Sequence, residues 1–126
     1  MIEMFEYKDA EEASSFADLW DAGLVGDVCD DRTAASKDYV SKHCSSSIHL
    51  KYDSNELEIS TNTKRYKCYE IPELIKSLNA KRILLDATTL GVVELGLLLK
   101  HLHGIKKIKC SILYVEPGTY VKKKNL

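Results

Sequence analysis

Apolar and polar positions change their period several times along the chain, and each change marks an element. From Asp9 to Leu19 the sequence DAEEASSFADL is acidic and helix-permissive, with Phe16, Leu19 and Trp20 forming a narrow apolar stripe. This predicts a short amphipathic helix within an N-terminal helical extension spanning residues 1–22. Gly23 and Gly26 then bracket the change into LVGDVCDD, a short mixed run read as a strand ending at Asp30. In the following RTAASKDYVSKH, Asp30 or Asp31 is placed to cap a helix that turns Ala34, Ala35, Tyr39 and Val40 inward.

A period of two follows. Ile48, Leu50 and Tyr52 alternate with His49, Lys51 and Asp53, which predicts a half-buried strand. Asp53-Ser54-Asn55 supplies turn chemistry, and Leu57 and Ile59 continue on one face, so a hairpin is expected. A third short strand falls around Tyr66. Pro72 suits a first helical position, with Leu74, Ile75 and Leu78 at helical spacing before Asn79 closes the turn.

The last third is more apolar. KRILLDA reads as a strand covered on both faces, and Val92–His103 as a helix apolar almost all round, stopped by Gly104 and belonging in the interior. IKCSILYVEP gives a final strand, followed by a basic tail over residues 121–126. Strands alternate with helices, which predicts one α/β domain: a Rossmann-like three-layer sandwich with a mostly parallel sheet and an antiparallel edge hairpin.

Composition narrows the function classes. With 126 residues, one ordinary core suffices. A net charge of -1 supplies no sequence-wide attraction to phosphate backbones or acidic membranes, so nucleic acid is not an expected partner. The amino end has neither a basic nor an apolar signal region, and no apolar run approaches the ~20 residues of a bilayer span; a cytoplasmic location is expected. Four cysteines without a CxxC pair (Cys29, Cys44, Cys68, Cys110) are read as packed thiols.

In open parallel sheets, ligands collect beyond the carboxyl ends of the strands, where helix N-termini present unpaired N–H groups. Three polar segments belong at that rim: Asp30–Ser36 (DDRTAAS), Asp86–Gly91 (DATTLG) and Glu116–Thr119 (EPGT). Arg32, Thr33, Ser36, Asp86, Thr88 and Thr89 are therefore the candidate ligand residues, with an anionic, nucleotide-like molecule or a protein partner, including a second copy of the chain, as what they would bind. Two alternatives stay open. Asp86 or Thr88 serves only to cap the following helix, and Arg32 only balances Asp30 and Asp31. No dinucleotide fingerprint, P-loop or nucleophile elbow is present, and no catalytic base stands out. His101 and His103, two apart on a helix, cannot face one metal.

Acidic residues ending two strands, Asp30 or Asp31 and Asp86, resemble the Mg²⁺ pocket of response-regulator receiver domains, which implies a small metal-dependent, phosphate-handling activity. The pattern departs from a receiver after the last strand, where Glu116-Pro117 stands in place of a lysine before proline and a further strand. The succession DDRTAAS, LLDATTLG, LYVEPGTY, over about Leu24 to Tyr120, also looks like the Rossmann-like sensor domains of the CARF and SAVED type in bacterial antiviral defence. That resemblance implies a nucleotide second messenger held across a dimer, with contacts from Arg32, Thr33, Ser36, Thr88 and Thr89, and a partner protein to carry the output. It names no cofactor.

Overall fold

A computed structural model of the chain describes residues 2–7, 19–27 and 30–115. Its elements in chain order are β1 (Ile2–Tyr7), β2 (Trp20–Val25), α1 (Thr33–His43), β3 (Cys44–His49), β4 (Lys51–Asp53), β5 (Glu58–Ser60), β6 (Arg65–Lys67), a 3-10 turn (Cys68–Glu70), α2 (Ile71–Ser77), β7 (Arg82–Asp86), α3 (Val92–Leu102) and β8 (Lys109–Val115). Five of the strands form one sheet in the order β1-β8-β7-β2-β3, every pair parallel. The fold is Rossmann-like α/β, as the alternation of elements predicts.

Burial explains why the late strands read as unbroken apolar runs. In β7, Ile83 and Leu85 join a core shared with α2, α3 and the small sheet, while Leu84 faces a second core with Tyr39 and Val40 of α1. The helices thus lie on opposite faces, as right-handed crossovers that leave β2 and β7 in opposite directions require. The order also fixes a topological switch point. From β2 the chain moves to β3 on one side, and from β7 to β8 on the other, so a crevice is expected at the carboxyl ends of β2 and β7.

Several sequence readings need correction. The helical extension over residues 1–22 contains strand at both ends, since Ile2–Tyr7 is β1 and β2 already begins at Trp20. The register from Ile2↔Cys110 to Tyr7↔Val115 shows what overrides the local pattern: β8 offers a ladder of backbone partners that no local propensity can reveal. Of the helix predicted between them, only Leu19 is described. Residues 28–29, which include Cys29, and residues 116–126, with the EPGT segment and the basic tail, lie outside the described residues.

β2 ends at Val25, five residues short of the predicted Asp30. Gly23 within β2 and Gly26 just beyond it each permit a close approach. A Cβ on Gly23 would sit 2.6 Å from Val40 Cγ1, and one on Gly26 would sit 2.5 Å from the carbonyl oxygen of Thr89. The predicted hairpin is one part of a separate antiparallel sheet, β4-β5-β6, rather than an addition to the edge of the main sheet. The period-two run from Ile48 to Tyr52 is divided at Leu50, whose N–H donates to the Val25 carbonyl at 2.8 Å and whose side chain is fully buried.

α2 conforms to its sequence signals, with Pro72 in its first turn and Asn79 in the left-handed region (φ 47°) just beyond its end. α3 does not belong in the interior. Leu98 and Leu102 are buried, but Val92 is 90% exposed and Val93 41% exposed, because the helix is an outer layer with one face turned away from the sheet.

Two glycine substitutions separate close packing from open space. Gly26→Ala drives a methyl group into backbone and is expected to cost about 1 to 3 kcal/mol. Gly96→Ala, on α3 with no neighbour within 4 Å of the new carbon, is expected to stabilise by about 1 kcal/mol. Urea unfolding of the two variants checks both signs.

Candidate functional site

The carboxyl ends of β2, β7 and β8 do converge, and the predicted rim residues meet there. Asp86 is the last residue of β7 and is completely buried. Its Oδ1 accepts the N–H of Thr88 at 3.1 Å, and its Oδ2 accepts the Thr89 hydroxyl at 2.8 Å. The Ser36 hydroxyl, from the α1 side, donates to the Thr33 carbonyl at 3.2 Å. Thr89 Oγ1 in turn accepts the N–H of Gly26 at 2.9 Å, which carries the connection to the end of β2.

The chain of contacts continues toward β8. Thr88 Oγ1 accepts the N–H of Val115 at 3.0 Å, and the Val115 carbonyl accepts an N–H from Arg32 Nη1 at 2.8 Å. Arg32 forks onto Asp30 through Nε and Nη2, the latter at 2.7 Å, and its guanidinium lies 5.2 Å from the centroid of the Tyr114 ring. A belt of polar contacts therefore runs from Gly26 through Thr89, Asp86, Thr88 and Val115 to Arg32 and Asp30.

The start of α1 departs from the predicted cap. Arg32 is the N-cap residue and makes no side-chain cap bond. Asp30 acts one step earlier: its Oδ1 accepts the Arg32 N–H at 2.8 Å and its carbonyl accepts the Thr33 N–H at 3.2 Å, an Asx-type turn that launches the helix. Asp31 is exposed. The helix turns Ser36, Tyr39 and Val40 inward, with Ala34 exposed and Ala35 half-buried. Ser36 is the inward residue that the sequence pattern of apolar positions missed.

At the start of α3, Glu94 rather than Asp86 or Thr88 supplies the capping carboxylate, accepting the N–H of Gly91 at 3.2 Å. A Glu three residues after the N-cap was the available signal for it.

Electrostatics follow from this wiring. Burial pushes the Asp86 carboxyl above its ordinary value, and the hydroxyl and N–H donors around it offset part of that rise. Asp30 is held below the usual carboxylate range by the Arg32 guanidinium and backbone N–H. Burial also lifts the thiol of Cys44 to about 12 and that of Cys110 to about 11, so neither supplies a thiolate at neutral pH. Among the described residues, no cluster of three His, Cys, Asp or Glu side chains is disposed to hold a metal ion, and no helix is long and apolar enough to cross a membrane.

No protein-family model matches this chain, and neither do any curated proteins or solved structures.

Removing Thr89 should break the belt at two points. Thr89→Val leaves the Gly26 N–H and one Asp86 oxygen without a partner, and a loss of about 3 kcal/mol is expected in urea unfolding. Asp86 also gives stability a definite pH dependence. Its native pKa is raised above 3.8, so its contribution is full below that value and declines as pH rises through the native pKa. Asp86→Asn cannot ionise, so the stability of the native sequence relative to this variant should fall with rising pH; unfolding curves taken at stepped pH measure the difference.

Proposed function

We propose that this chain is a non-enzymatic binding module whose parallel sheet is a rigid scaffold for recognising an anionic ligand or a protein partner. The observation that carries the reading is the condition of Asp86. It occupies the position where receiver-like or metal-dependent chemistry would place its reacting carboxylate, yet it is closed off from solvent, with its oxygens accepting the Thr88 N–H and the Thr89 hydroxyl. A carboxylate that binds Mg²⁺ or accepts a phosphoryl group needs an open coordination position. Arg32 and Asp30 of the rim are committed to each other.

The likeness to CARF and SAVED sensor domains suggests a ligand class for this module, a nucleotide second messenger, and a setting in antiviral signalling. One observation favours the rim for it. Among the described residues, the Thr33 hydroxyl is buried without a hydrogen-bond partner at the start of α1, beside Arg32. Of the six candidate residues, Thr33 alone keeps a side-chain polar group unspent, while Ser36, Asp86, Thr88 and Thr89 serve the scaffold.

Two measurements test this. Incubation with acetyl phosphate and Mg²⁺, followed by intact mass spectrometry, is expected to give no phosphoryl adduct; an adduct abolished by Asp86→Asn would overturn the non-enzymatic reading. Native mass spectrometry with mono-, di- and cyclic nucleotides should show retention lost in Thr33→Val if the rim is the binding face. Undiminished retention in that variant would move the ligand elsewhere.

A further inference from the structure

The opposite edge of the sheet has a different character. Asn79–Lys81, which lead into β7, and Ile105–Ile108, which lead into β8, face the last turn of α2 across a groove of about 670 Å³. Its apolar surface comes from Ile75, Ile105 and Ile108, among others, and three of its lining residues are Lys76, Lys81 and Lys107. Among the described residues, no carboxylate lines it. Ile75 is buried, Ile105 and Ile108 are half-buried, and the three lysines are exposed.

Ion pairs among the described residues engage Arg32, Lys42, His49 and Lys67, and none of them reaches Lys76, Lys81 or Lys107. Asp21 stands near Lys81 as a single carboxylate, its Oδ2 accepting the backbone N–H groups of Lys81 and Arg82 at 2.8 and 2.9 Å. Among the described residues the groove thus sets three lysines over an apolar floor.

We propose that this groove is a docking site for an acidic peptide segment of a partner protein, with aliphatic or aromatic side chains seated against Ile75, Ile105 and Ile108 and flanking carboxylates paired with Lys76, Lys81 and Lys107. Two features select this occupant. Lysine ammonium groups on long flexible stems suit carboxylates spaced along a chain, whereas a built phosphate site uses a fork or a helix N-terminus. The surface is also concave and apolar at its floor, which accepts an inserted side chain better than the face of a bilayer. The inference is independent of the sealing of Asp86, and either can fail without the other.

The test uses the full chain and an array of labelled acidic peptides, each carrying two Leu, Ile or Phe residues, with matched peptides in which Lys replaces every acidic residue. Fluorescence anisotropy is expected to show binding of acidic peptides only, weakened about tenfold between low and physiological salt. Lys81→Glu/Lys107→Glu, a change confined to exposed side chains, is expected to weaken binding by at least about tenfold with an unaltered melting curve. Amide shifts on binding should fall at Ala80, Ile105 and Ile108. Absence of binding across the array, affinity unchanged by the double reversal, or binding to phosphatidylserine vesicles but not to peptides would each overturn the proposal.

Discussion

The buried carboxylate of Asp86 holds the carboxyl edge of this sheet together. At a topological switch point, neighbouring strands are left by connections that diverge to opposite faces, and the gap between them must be filled by a ligand, by water or by the protein. Here hydrogen bonds of the protein cross it. Asp86 takes donors from Thr88 and Thr89, Thr89 takes the N–H of Gly26, and Thr88 takes the N–H of Val115, so three strand ends are tied through one side chain. An unpaired carboxylate at that depth would cost several kcal/mol, so the surrounding donors are what make its burial tolerable. The absence of a side chain on Gly26 follows from the same contact, because Thr89 backbone occupies the space a Cβ would need.

That arrangement divides the molecule into two poles with different capacities. The carboxyl pole is wired internally from Gly26 to Asp30, leaving the Thr33 hydroxyl as the unspent group among the side chains that the sequence nominated. The amino pole has an apolar floor and three lysines outside the ion pairs of the described residues. In many α/β proteins the first pole recognises and the second only supports. In this chain the satisfied polar groups gather at the first pole, and exposed lysines over apolar side chains at the second.

The sequence was most legible where pattern and environment agreed. Arg82–Asp86 and Lys109–Val115 read as two-sided strands because both faces are covered, and Pro72 and Asn79 marked α2 because their backbone preferences are local. The convergence of Arg32 and Thr88 was also readable, since parallel pairing obliges the turns after successive strands to share an edge; both reach Val115. Long-range partners were not readable. Ile2–Tyr7 is a strand because β8 pairs with it, Gly23 and Gly26 lie where other elements press close, and α3 is half-exposed although its composition suits an interior. Nothing local distinguishes an Asp that binds a ligand from one that binds the next turn.

The pairing of β1 with β8 has a bearing on how the chain reaches its fold. Ile2 lies beside Cys110 and Tyr7 beside Val115, so this ladder joins segments separated by more than a hundred positions. Closing so long a loop is entropically late, and during synthesis the first strand must wait for almost all of the described chain to emerge before its neighbour exists. Until then an unsatisfied strand edge is open to other molecules, which makes the interval before β8 arrives the period of greatest exposure to misassociation.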